Sequence, residues 1–336
     1  MGIRDRKDDD LINIDRISQA GSLDVLVDQD SQIVYYAVHL DSTFYNFTVR
    51  NGFNVGATLE GAPDTLNFPT GGVGTLSLKS AWRLVAAQGR TYIPYAAQRF
   101  YTTQAMVPKA IIRDSTIVAD TTQMMQATLA LVGIHVTGTV ANHPEFIWAT
   151  FEHEDNVPLC SATATGDSIN RATGNRWSFY HNERCNGFGN RPCNQGHRKQ
   201  PVLNFGPTPV CQVVPYGDPD STSTNRRNIV SINNSVKGQL PASRSIVSHY
   251  FLNGGLWTTG GAAALPAISA TSPQTNQRGS LKLANTSMES FTQTTNCFGC
   301  HNGNQADTGW VAKRLAVSHA WPFAFTEPAT ETTQDR

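Results

Sequence analysis

An excess of charge is the first thing this chain lacks. Its 26 Lys and Arg residues balance 26 Asp and Glu, for a formal net charge of zero over 336 residues. A nucleic-acid groove or a site for anionic membranes draws on a basic surplus, so neither is indicated. Charged residues of either sign make up only 15% of the sequence. No apolar run approaches the roughly 20 residues of a membrane-spanning helix. The opening stretch MGIRDRKDDDLINIDR has basic residues but no apolar core behind them, so it does not read as a secretory signal. Internal repeats are lacking. So are a G-x-S-x-G elbow, a Walker loop, an H-E-x-x-H pair and a dinucleotide-binding glycine pattern.

Ser, Thr, Asn, Gln and Gly fill the space that charge leaves, beside abundant Val, Ile and aromatics. That composition favours strands and long polar loops over a helical bundle. The runs LDVLVD and SQIVYYAVHLDSTFYNFTV, between residue 23 and about residue 50, read as strands. Leu76, Leu78, Ser80, Trp82 and Leu84 alternate on one face with a period of two. AIIRDSTIVAD, MMQATLALVGIHVTG and EFIWATFEHED are each of strand length between turn residues. The expected fold is mainly β, with antiparallel, sandwich-like sheets, long loops and a short helical C-terminal segment.

Three regions follow. Residues 1–22 form a charged, peripheral N-terminal segment, 23–278 a β-rich domain, and 279–336 a segment packed on that domain. Within the domain, residues 156–245 read as loops rich in Gly, Pro, Asn and Ser, carrying Cys160, Cys185, Cys193 and Cys211. Loops this long call for a staple. Four cysteines allow three pairings, and nearness in sequence favours Cys185–Cys193 with Cys160–Cys211. Four free buried thiols are the other reading.

The most informative stretch is TTNCFGCHNGN, in which Cys297, Cys300 and His301 stand as C-x-x-C-H. This spacing is the attachment sequence for haem c. At i and i+3 of a helix both thiols reach one face, where they can form thioethers with the two haem vinyl groups. His301 follows directly and can bring its imidazole to the iron as the proximal ligand. Asn285 or Thr286, with Glu289 behind it, predicts a helix start leading into the motif. A C-x-x-C pair can also be half of a zinc site or a redox pair. Zinc would need further ligands, and no second C-x-x-C exists in the chain.

The motif is similar to that of c-type cytochromes. The blocks GTLSLKSAWR, LVGIHVTG with HPEFIWATFEHEDNVP, and LANTSMESFTQTTNCFGCH resemble a bacterial family of single-haem cytochrome c proteins, in patches between residues 30 and 301. The resemblance implies one covalent haem c and export to the periplasm or beyond, with a signal peptide removed ahead of this chain. Disulfides persist in such a compartment. The motif stands near the C-terminus with no Met after it, so a compact all-helical cytochrome c fold is not expected.

Three histidines are candidates for the sixth iron position. If LVGIHVTG and FIWATFEHED pair through TVANHPE, opposed residue numbers sum to 286–288, and His135 then faces His153. Glu152, next to His153, points to the opposite face of a regular strand, which argues against an acid–base dyad. His319 points inward on either a helical or a strand reading of its segment. For each of them, an ordinary half-buried histidine is the alternative. Lys79 and Arg83 can reach haem propionates or lie on a solvated strand face. EHEDN lacks the spaced oxygens of a calcium loop. Three functions are weighed: an electron carrier working with a redox partner protein, a haem c enzyme of peroxidase or oxygenase type with an open sixth position, and a non-haem, disulfide-stapled β protein with zinc at C-x-x-C-H.

Overall fold

The computed structural model describes residues 12–14, 16–19, 24–53, 66–72, 74–160, 168–181, 193–196, 204–241, 246–259 and 277–301. In chain order the elements are β1 (Ile12–Asn13), β2 (Val34–Leu40), α1 (Ser42–Arg50), β3 (Leu76–Ala87), β4 (Arg90–Thr91) and α2 (Ala96–Arg99). They continue with β5 (Thr102–Arg113), β6 (Thr116–Val140), β7 (His143–His153), α3 (Thr224–Gln239), β8 (Tyr250–Thr258), β9 (Gln277–Gly279) and α4 (Cys297–Cys300). The fold is mainly β.

Among the described residues the strands form one nine-stranded sheet. β6, 25 residues long, is its spine. On one edge β6 pairs with β3, which carries β2 and β4. On the other edge it pairs first with β5, over Thr116 to Ala130, and then with β7, from Gly133 onwards. The sheet therefore forks along β6. One wing runs to β5 and the parallel β1, the other through β7 and β8 to β9. At the fork, backbone carbonyls lose their strand partner, and buried carbonyls need one. Tyr250 Oη donates to Leu131 O at 2.8 Å, and Asn156 Nδ2 donates to Val132 O at 2.8 Å.

Several segments differ from their sequence reading for identifiable local reasons. STFYNFTVR is helix α1, because Asp41 accepts from Phe44 N at 2.7 Å as its N-cap. AIIRDSTIVAD is two strands, since Asp114 and Ser115 both take positive φ and make a tight turn. RRNIVSINNSVKGQ, read as loop, lies in α3, capped by Ser223 and burying Ile229. The N-terminal segment is not peripheral throughout: β1 extends the sheet, and Ile14 and Ile17 are buried in its core. Cys160–Cys211 is a disulfide, and Cys193 is disulfide-bonded. Cys185 lies outside the described residues.

Arg83 anchors the β2–β3 side. Its guanidinium, fully buried, meets Asp28 at 2.8 Å, Asp30 at 2.9 Å and Ser178 Oγ at 2.9 Å. Removing one member of a buried pair strands the other charge. Arg83→Met is expected to lower stability by about 3–5 kcal/mol, read as a shift of the urea unfolding midpoint.

Candidate functional site

The C-x-x-C-H turn is docked on the β7–β8–β9 wing. Asn296 caps α4, its Oδ1 accepting from Gly299 N at 3.2 Å. Its Nδ2 ties the turn to the sheet through Gln277 Oε1 of β9 at 2.8 Å and to Leu281 O at 2.9 Å. His301 N donates to Cys297 O at 2.7 Å and closes the turn. The two residues between the cysteines have separate tasks. Phe298 is driven into an apolar cluster with Phe44, Phe53, Phe68, Phe146, Trp148, Leu256 and Leu283. Gly299 passes so close to Thr295 that a Cβ there would lie 2.1 Å from its Oγ1, so a larger residue would force the Thr295 side chain to move.

Trp148 of β7 is the floor of the site. Its ring meets Phe298 edge-on at 6.3 Å and lies 4.4 Å from the His301 ring, centroid to centroid. Cys297, half-buried, packs against the same cluster and is a thiol outside any disulfide. A thiol and an imidazole one helical turn apart are thus held over an aromatic surface.

The leader into the motif is not the helix that Asn285 and Glu289 suggested. It makes a single turn, with Met288 N and Glu289 N both bonded to Asn285 O, and is then fixed residue by residue to the sheet. Asn285 Nδ2 donates to Thr150 Oγ1 and Phe151 O at 2.8 and 3.0 Å. Thr286 N donates to Glu152 at 3.0 Å, and Thr286 Oγ1 bonds the same carboxyl. Ser287 O accepts from Tyr36 Oη at 2.8 Å, and Met288 is fully buried. Glu289 turns back to Asn285 N and meets His135 at 3.0 and 3.1 Å. Gln293 donates to Cys211 O, so the disulfide loop grips the leader as well.

These contacts decide where the sequence candidates stand. The β6–β7 register pairs Gly133 with Glu152, Ile134 with Phe151 and His135 with Thr150. The hairpin turns earlier than the expected sum implied, so His135 does not face His153. His135 lies with Thr150 on the leader's side and holds Glu289. His153 lies on the reverse face, stacked on Phe100 at 3.9 Å. Both of its ring nitrogens are engaged: Nε2 with Arg99 O at 3.1 Å, and Nδ1 as acceptor from Asp155 N at 3.1 Å. Burial pushes its pKa down to about 3, which keeps the ring neutral. Neither His135 nor His153 is aimed at the motif.

Arg83 is committed to Asp28 and Asp30, which rules against a propionate role for it in this arrangement. Lys79 pairs across the ladder with His135 and lies 5.6 Å above the Tyr36 ring, beside the leader. His319 falls outside the described residues. Sequence reasoning missed Trp148, Phe298, Phe146 and Asn296. The β7 alternation that places Phe146, Trp148, Thr150 and Glu152 on one buried face was the available signal.

The donor set fits a covalently attached haem: two cysteine positions and a histidine on one capped turn, above apolar rings. Among the described residues, no group of three or more His, Cys, Asp or Glu side chains gathers as a metal site. Compared with family models, curated proteins and solved structures, the chain matches none.

Burial raises the Glu152 carboxyl from 4.5 to about 7, against the opposing hydrogen bonds of Thr286. The folded state therefore holds a proton that the unfolded chain releases between those values, and stability falls as pH rises across that window. The loss is on the order of 3 kcal/mol by pH 8. Glu289 behaves oppositely: burial works to raise it, but His135 and Lys79 outweigh burial and hold it below the ordinary value. Its contribution is present above 4.5 and lost below. From pH 5 to 8 the urea midpoint of Glu152→Gln is expected to rise relative to that of the native protein, because the loss through Glu152 is removed while the opposite contribution of the neutral His153, gained as pH rises to about 6.5, remains.

Proposed function

We propose that this chain is a mono-haem c-type cytochrome that exchanges single electrons with a redox partner protein. Cys297 and Cys300 would hold the group by thioethers, and His301 would be its proximal ligand. A haem bound there supplies a one-electron couple. The chain's own residues position it: Asn296 caps the turn, Phe298 anchors it, and Trp148 fixes the plane of the His301 ring. The observation that carries the reading is this turn, held rigidly between β7 and β9 with its histidine laid on an indole. The Cys160–Cys211 disulfide supports an oxidising compartment, periplasmic or extracellular.

A second reading, a haem c enzyme with an open sixth position, is favoured by one specific observation. Of the three histidines considered as sixth ligands, the two within the described residues are bonded elsewhere. Absorption spectra separate the readings. They require protein exported in a host with haem-maturation machinery, oxidised, reduced, and reduced under CO. A low-spin reduced spectrum indifferent to CO supports the carrier, whereas a high-spin spectrum shifted by CO supports the enzyme. Protein without covalent haem sinks both and leaves a disulfide-stapled β protein with zinc at the motif. Cys297→Ser combined with Cys300→Ser is expected to abolish haem that stays with the chain on a denaturing gel.

A further inference from the structure

The Cys160–Cys211 disulfide meets the leader through three successive residues. Cys211 O accepts from Gln293 Nε2 at 2.9 Å, and Val213 N donates to Gln293 Oε1 at 2.9 Å. Between them, Gln212 Nε2 donates to Asn253 Oδ1 at 3.0 Å. Asn253 Nδ2 donates in turn to Glu152 Oε1 at 3.0 Å and to Ala284 O at 2.7 Å. On the other limb of the bridge, Cys160 N donates to Gln212 O at 2.9 Å, and Gln212 N donates to Pro158 O at 2.8 Å. The run 211–213 thus holds the leader at both ends, at Ala284 and at Gln293.

The two sulfurs have a donor against them and differ in access. Asn194 lays its side-chain amide between them, with Nδ2 3.8 Å from Cys160 Sγ and 3.7 Å from Cys211 Sγ. Its Oδ1 accepts from Cys211 N at 2.9 Å, and its own N donates to Pro209 O at 3.0 Å. Asn194 takes φ 63°, a conformation that asparagine tolerates better than most residues. Cys193, the residue before it, is itself disulfide-bonded. Cys211 is buried, whereas Cys160 is half-buried beside the exposed Leu159. An incoming thiolate therefore meets Cys160 and expels Cys211. An N–H donor beside the expelled sulfur stabilises it as thiolate, and a more stable leaving thiolate departs faster.

We infer that Cys160–Cys211 is a thiol–disulfide exchange site whose reduction releases the leader, and with it the cysteine turn. The reductant is a dithiol protein. One of its thiolates bonds to Cys160 Sγ as the Cys160–Cys211 bond breaks, and Cys211 leaves as thiolate. Its second thiolate then displaces Cys160. Two electrons and two protons end on Cys160 and Cys211 as thiols, and the dithiol closes into its own disulfide. Once the limbs are separate, residues 158–160 no longer fix 211–213, and the bonds to Gln293 and Asn253 lose their support. None of these steps needs haem at the turn.

Hydrogen exchange of the full chain, as isolated and after treatment with dithiothreitol, tests this, with mass mapping of alkylated cysteines to score the bridge. Opening Cys160–Cys211 is expected to speed exchange at the leader amides 284–293 by about tenfold or more, while β3 and β6 keep their protection. Cys160→Ser combined with Cys211→Ser opens this bridge alone and should give the same leader exchange. Asn194→Gly, which suits the positive φ, should keep the bridge and slow its reduction about tenfold. Leader amides that stay protected without the bridge overturn the inference. So does an equal loss of protection in β3 and β6, because the bridge would then hold the whole fold. A bridge that resists dithiothreitol in the native protein, or is reduced as fast in Asn194→Gly, overturns the exchange site.

Discussion

The backbone of residues 284–290 is buried without belonging to a regular helix or strand, and the site depends on how that demand is met. A buried peptide group must be hydrogen-bonded. Regular structure would satisfy these groups locally, but here side chains from the sheet do it: Asn253 reaches Ala284 O, Glu152 takes Thr286 N, and Tyr36 and Gln19 share Ser287 O. Each bond fixes one residue of the leader to a different strand or loop. Seven residues farther on, the cysteine turn inherits that placement, with Asn296 adding the last tie to β9.

The forked sheet explains why so much chain surrounds a five-residue motif. A single flat wing would offer one face to the leader and nothing to hold its far side. Because β6 pairs with β5 and then β7, the leader can be bonded to β7 through Glu152, to β2 through Tyr36, and to β6 through His135. β7 is used on both faces. Phe146, Trp148, Thr150 and Glu152 serve the motif and its leader. His153, one residue beyond, turns the other way and closes against Phe100 and Tyr250. An imidazole bonded through both nitrogens is a structural polar group that burial keeps neutral. That is why a histidine in the pattern most suggestive of a ligand is not one here.

What the sequence made legible follows from the range of each interaction. Period-two alternation is local, so β3, β6 and β7 could be read directly, and the C-x-x-C-H spacing is local too. The pairing Cys160–Cys211 was favoured by chain proximity and is present. The β6–β7 register was not legible, because it hung on whether the turn falls at residues 141–142 or slightly later. One such shift reassigned the partner of His135. Helix α3 hid behind its Asn and Ser residues, poor helix formers whose helix is set by the Ser223 cap and by Asn233 bonding both Leu252 N and Leu252 O. The leader failed as a predicted helix for the opposite reason. Its start signal is real and makes one turn, but long-range bonds to Glu152, Tyr36 and His135 outcompete a second.

Trp148 shows what remains invisible without a fold. Nothing in FIWATFEHED marks its tryptophan over its other apolar residues. It comes to lie under the cysteine turn only because β8 lies beside β7, bringing Leu256 opposite it, and because β9 and Asn296 set that turn above it. Its indole N–H is buried without a partner, and so is Glu145 Oε2 three residues earlier. Gln19, Gln29, Thr48 and Asn156 also carry a buried polar atom without a partner, so the fold that satisfies the backbone of an irregular leader spreads its unmet side-chain groups over several elements, two of them on β7.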